Sequence, residues 1–162
     1  MQRARTVFAL GLAGCVFAMA TALWYFQHTL GLSPCPLCVV QRVIFITLGA
    51  VYLIATLHNP QGIMRPVYGA LATIVALFGA GVSGWHVYLQ NLPPDEVPEC
   101  GPGLDYMLEV MPLDKVFKEI FTGSGECSEI LWSFLGLSIP AWTFVAFAGF
   151  AVYGLWIIIA RR

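Results

Sequence analysis

The 162-residue chain carries five cysteines: Cys15, Cys35, Cys38, Cys100 and Cys127. Cys35-Pro36-Leu37-Cys38 holds two thiols at a separation that a disulfide can bridge. Closing so short a loop removes little chain entropy, so the pair contributes little as a staple. At the mouth of a helix it has a better use. The positive end of the helix dipole favours negative charge, which lowers the pKa of Cys38 toward the thiolate, the form that attacks disulfides and electrophiles. Cys15 lies inside an apolar run and reads as a buried structural thiol. The other four admit three pairings, and sequence alone does not fix the choice. Spacing favours Cys35 with Cys38, which leaves Cys100 with Cys127. Closing that longer loop is worth about 3.5 kcal/mol in the loop-entropy picture. No second C-x-x-C and no ordered histidine spacing completes a zinc set, so the sequence assigns no metal ligand.

Arg42 follows Cys38 by four residues and so shares its helix face, about 6 Å further along. It is the only formal charge within the spans expected below, and none of them holds a carboxylate. The bland reading is an arginine snorkelling to the interface. The chemical one is a guanidinium awaiting an anionic or strongly polar partner. A thiolate is one such partner; a carbonyl oxygen that gains negative charge during reduction is another. His86, near the end of the third apolar run, offers hydrogen bonding or proton transfer. His28 and His58 show no comparable placement.

These residues must be positioned by helices. Apolar residues make up 59% of the chain and charged residues only 10%, where a soluble domain carries roughly 25%. Runs free of Lys, Arg, Asp and Glu hold spans near Val7–Phe26, Val39–Leu57, Val67–Leu89 and Ile139–Ile159, each near the ~20 residues that cross a bilayer. The expected fold is an all-α membrane protein, a single four-transmembrane-helix bundle over residues 1–162. All nine acidic residues fall between Asp95 and Glu129, beside only Lys115 and Lys118, whereas Arg3, Arg5, Arg65, Arg161 and Arg162 sit on the other side. The positive-inside rule then places both termini and the turn Leu57–Arg65 in the cytoplasm. The loops Gln27–Cys38 and Gln90–Ser138 face outward, into a periplasm that permits disulfides. Ala18-Met19-Ala20 resembles a cleavage site, but the apolar run continues into the aromatic belt Trp24-Tyr25-Phe26, so an uncleaved first helix is expected. Within the long loop, Leu113, Val116, Phe117, Ile120 and Phe121 share one helical face, which predicts a short amphipathic helix in the interface. Small residues at four-residue spacing, Gly14 and Ala18, then Ala76, Ala80 and Gly84, allow close helix approach.

The segment Cys35-Pro36-Leu37-Cys38-Val39-Val40-Gln41-Arg42 resembles the redox motif of the DsbB family of inner-membrane disulfide-bond formation proteins. The likeness continues through Trp24–His28, His86–Gln90, Pro112–Lys115, Gly125–Cys127, Trp132–Leu137 and Pro140–Trp142. It implies a thiol oxidoreductase that reoxidises a periplasmic DsbA-like dithiol oxidase and uses ubiquinone or menaquinone as acceptor. By that resemblance a partner thiolate attacks the Cys100–Cys127 disulfide, most readily at Cys100. Exchange with Cys35–Cys38 follows, and Cys38 passes the electrons to quinone, with Arg42 polarising its oxygen and His86 nearby. Cys15 has no role in that scheme.

Overall fold

Hydrocarbon offers the backbone no hydrogen-bond partner but itself, and long apolar runs therefore coil into helices. In the computed structural model, which describes residues 2–93, 95–96, 104–123 and 125–160, four helices are long and apolar enough to cross a membrane. Helix α1 (Gln2–Ala20) runs on into a wider π-helical stretch, Thr21–Thr29. Its hydrogen bonds reach five residues back, as from Leu30 N–H to Tyr25 O at 3.1 Å. Helices α2 (Pro36–His58), α3 (Met64–Leu89) and α7 (Ile139–Ile159) complete the set. The protein is an all-α, four-helix membrane protein. The first three spans expected from sequence lie inside longer helices, and the fourth coincides with α7.

Local chemistry sets the ends of α2. Cys35 caps it in extended conformation (φ −69°, ψ 164°) and Pro36 occupies the first turn, where a missing N–H costs nothing. Asn59 ends it in the left-handed region (φ 47°), its N–H bonded to Ala55 O at 2.9 Å.

Helix α3 packs most extensively on α7, α1 packs on α2, and α2 on α3. Tyr153 Oη of α7 donates to Val7 O of α1 at 2.8 Å, joining the outer pair. Phe8, Leu48, Tyr52 and Phe147 are fully buried at the centre, and Phe45 stacks on Phe147 with ring centroids 4.2 Å apart. Cys15 is buried where α1 meets α2, beside Gly49. Phe17, Trp24 and Leu57 are more than two-thirds exposed, as lipid-facing side chains should be.

Close approach of α3 and α7 depends on Gly79. A Cβ there would fall 2.6 Å from the Phe147 ring, whereas one at Gly81, two residues on, meets nothing. Gly79→Ala is expected to cost about 1–3 kcal/mol through overpacking and Gly81→Ala to be neutral. Thermal unfolding in detergent compares them; equal midpoints would mean that Phe147 moves aside freely.

Among the described residues, the segment before α7 holds three short helices, α4 (Leu104–Val110), α5 (Leu113–Thr122) and α6 (Gly125–Ser128). Helix α5 is the expected amphipathic helix. Val116 and Ile120 are buried, while Leu113 and Phe121 stay exposed, so the inward stripe is narrower than the apolar face. Trp85 Nε1 of α3 donates to Phe121 O at 2.9 Å and ties α5 to the bundle.

A two-stranded hairpin, β1 (Ser133–Phe134) with β2 (Leu137–Ser138), was not anticipated from sequence. Its turn residues Leu135 (φ 52°) and Gly136 (φ 79°) both take positive φ, the twist that matches flanking strands. Leucine is a poor marker of such a turn, since the left-handed region costs it roughly 1–2 kcal/mol.

Candidate active site

The site forms where the capped end of α2 meets α3 and α6. Cys35 Sγ accepts from Cys38 N–H at 3.4 Å, one of the first-turn amides that otherwise lack a partner. The Cys35 thiol in turn donates to Cys38 Sγ at 3.0 Å, so the pair stands as a hydrogen-bonded dithiol with Cys38 as the acceptor. Hydrogen bonds with Cys127 and with Cys38, together with burial, push the Cys35 pKa well above the usual thiol range.

Helix α6 carries Cys127 to this pair from far along the chain. Cys35 Sγ, Cys127 Sγ and a ring nitrogen of His86 lie within 4.8 Å of one another, all on buried residues. His86 is 2% exposed and enclosed by polar contacts. Its Nε2 lies 3.1 Å from Cys127 O and 3.7 Å from Cys35 Sγ. A carbonyl oxygen only accepts, which puts the ring hydrogen on Nε2. Nδ1 then accepts from Gln41 Nε2 at 3.1 Å. His86 thus reaches the thiols themselves, a closer engagement than its position in the sequence suggests.

Arg42, half-buried, donates from Nη1 to Gln27 Oε1 at 2.8 Å. The strongly polar partner expected for it is therefore a neutral amide from the π-helical end of α1. That geometry aligns the guanidinium along a cavity of about 730 Å³, which Cys35, Cys38 and His86 also line. This volume lies within the ~300–1,000 Å³ range of small-molecule sites. The walls are aromatic: Phe26 meets Trp132 edge-on at 4.9 Å, and Trp132 stacks on Phe134 of the hairpin at 6.0 Å. Trp142 Nε1 donates to Phe134 O at 3.1 Å and holds the hairpin against α7. Further along, Gly14, Ala18 and Phe150 line the cavity between α1 and α7. Such a space suits a flat, apolar molecule whose polar end accepts a hydrogen bond.

Of the residues singled out from sequence, Cys35, Cys38, Arg42, His86 and Cys127 converge here. Cys100, and with it the Cys100–Cys127 pair, lies outside the described residues. Gln41 and Gln27 were missed as site residues. Gln41 stands three positions after Cys38, a spacing that puts it on the same helix face. Gln27 lies 15 residues before Arg42, and no local pattern links the two.

A family model described as "Disulfide bond formation protein DsbB" matches residues 4–157. Disulfide bond formation protein B of Saccharophagus degradans is 54% identical over 144 residues, covering 89% of this chain and 86% of the relative. Its counterpart in Nitrosococcus oceani is 50% identical over 94% of this chain and 89% of the relative. The Methylococcus capsulatus protein is 47% identical over 96% and 94%.

Proposed function

The chain belongs to the DsbB family of disulfide bond formation proteins, and on that footing we propose that it oxidises a periplasmic DsbA-like dithiol oxidase and delivers the electrons to a membrane quinone. The observation that carries this reading is the thiol cluster. Cys127 of the loop lies within 4.8 Å of Cys35, whose sulfur is 3.0 Å from that of Cys38. A dithiol and a disulfide can exchange only if a thiolate of one reaches a sulfur of the other.

Electrons enter at Cys100–Cys127. A partner thiolate attacks Cys100 and Cys127 leaves as thiolate; the second partner thiol then closes the partner's disulfide and releases Cys100. The loop dithiol next reduces Cys35–Cys38 by the same exchange, through a bond between Cys127 and Cys35. Cys35 and Cys38 re-form their disulfide when two electrons and two protons leave them at the cavity. A quinone bound there supplies the two-electron, two-proton acceptor. Arg42, held by Gln27, would donate a hydrogen bond to its oxygen, and the rings of Phe26 and Trp132 would flank it. The length of cavity between α1 and α7 would receive its apolar tail.

The charge distribution supports an inner-membrane protein with cytoplasmic termini and a periplasmic thiol end. The test mixes purified protein in detergent with a reduced DsbA-type partner and short-chain ubiquinone, or menaquinone, and follows quinone absorbance. Catalytic loss of quinone, equimolar with partner disulfide formed, is expected. Partner oxidation without quinone loss would send the electrons elsewhere and overturn the reading.

A further inference from the structure

We infer that the fully reduced protein captures one zinc- or cadmium-type ion between Cys35, Cys38, Cys127 and His86, and that this ion arrests turnover. The arrest rests on the function proposed above; the capture does not. Zinc bonds of about 2.3 Å to sulfur and 2.0–2.1 Å to nitrogen set tetrahedral ligand atoms roughly 3.5–3.8 Å apart. Cys35 Sγ and His86 Nε2 are 3.7 Å apart, and the Cys127 sulfur lies within 4.8 Å of both residues' ligand atoms. Cys38 Sγ, 3.0 Å from Cys35 Sγ, would turn about its χ1 to serve as the fourth donor. Cys35 caps α2, His86 stands on α3 and Cys127 on α6, so the set is held from three elements.

His86 must present a lone pair to the ion. Its hydrogen moves to Nδ1 when the Gln41 amide turns to offer Oε1, and Nε2, which faces Cys35, is freed. Gln41 then orients the ligand ring, the usual role of a carbonyl behind a metal-bound histidine. Three thiols release three protons as the ion enters, and no electron moves. The resulting single negative charge has Arg42 one helical turn from Cys38 to offset it. Because a sulfur in a disulfide is no thiolate ligand, the oxidised enzyme is immune, and capture happens only when the thiols have been reduced. Sequence spacing misses this site because its three parts come from distant segments.

The test uses the full chain in detergent, reduced with a phosphine, desalted without oxygen and titrated with Cd²⁺. Thiolate-to-cadmium charge-transfer absorbance should saturate at one ion per chain, with the amplitude of three thiolates. Cys127→Ser should lower that amplitude by a third, and His86→Ala should weaken affinity at least about tenfold, the scale set by losing metal-site groups. Cys15→Ser should change nothing, and the oxidised protein should give no band. X-ray absorption on the unmutated cadmium complex, with three sulfurs and one nitrogen expected, guards against misfolded variants. A two-sulfur ion indifferent to Cys127 and His86, or no stoichiometric binding, overturns the site. Binding in a protein that never reduces quinone would refute the proposed function and leave the site standing.

Discussion

Replacing Cys38 with serine is expected to abolish quinone reduction and to trap a disulfide between Cys35 and Cys127. A serine hydroxyl is un-ionised at neutral pH and undergoes no thiol–disulfide chemistry, so turnover should fall by roughly 10³-fold or more. The first half of the cycle keeps its parts. Cys35 of the variant attacks Cys127 in the Cys100–Cys127 disulfide; the Cys35–Cys127 bond forms and Cys100 leaves as a thiolate. With no Cys38 to resolve it, that bond accumulates. The 4.8 Å cluster that holds Cys35 and Cys127 is the basis for this choice of partner. Peptide mapping under non-reducing conditions identifies the linked pair. Cys35 joined to Cys100 instead, or turnover that survives, would contradict the route.

Arg42→Ala should raise the quinone KM by about 10–100-fold while leaving partner oxidation in a single turnover without quinone unchanged. A hydrogen bond from a charged donor is worth about 1.5–3 kcal/mol, and each 1.4 kcal/mol is a factor of ten. The cavity's apolar lining gives the guanidinium few rivals as donor. Arg42→Lys keeps the charge but not the planar fork that lets one edge bind Gln27 while another faces the cavity, so it should recover only part of the loss. Gln27→Ala leaves the charge and loosens its aim; a KM increase of roughly 3–10-fold is expected. Equal loss of quinone use and of partner exchange in Arg42→Ala would make Arg42 a structural residue rather than a quinone contact.

These two experiments separate the halves of the site, and the structure explains why they are separable. Cys35, Cys127 and His86 form a polar knot closed by Gln41. Arg42 lines the aromatic cavity, where Gln27 holds its guanidinium. In the proposed route Cys38 hands the electrons from one to the other, which is why its loss should stop the cycle and the loss of Arg42 should only starve it.

Much of the fold is legible in the sequence. An apolar run of some twenty residues without charge has one low-energy conformation in hydrocarbon, so the spans followed from composition and length. The amphipathic helix was legible because its 3.6-residue period is local. Cys35, Cys38 and Arg42 were legible as a unit because the helix that carries them sets their spacing. Tertiary structure decided the rest. Nothing local says that α6 brings Cys127 to Cys35, that His86 bonds the carbonyl of Cys127, or that Gln27 from α1 holds Arg42. The hairpin that walls the cavity was hidden for a different reason: its turn puts a leucine where local preference asks for glycine or asparagine, and its hold on α7 through Trp142 keeps it there. Sequence determined the helices and the close placing of Cys35 and Cys38, since both depend on neighbours within a turn or two. Only packing decided what those thiols touch, since residues dozens of positions apart meet only once the four helices close on one another.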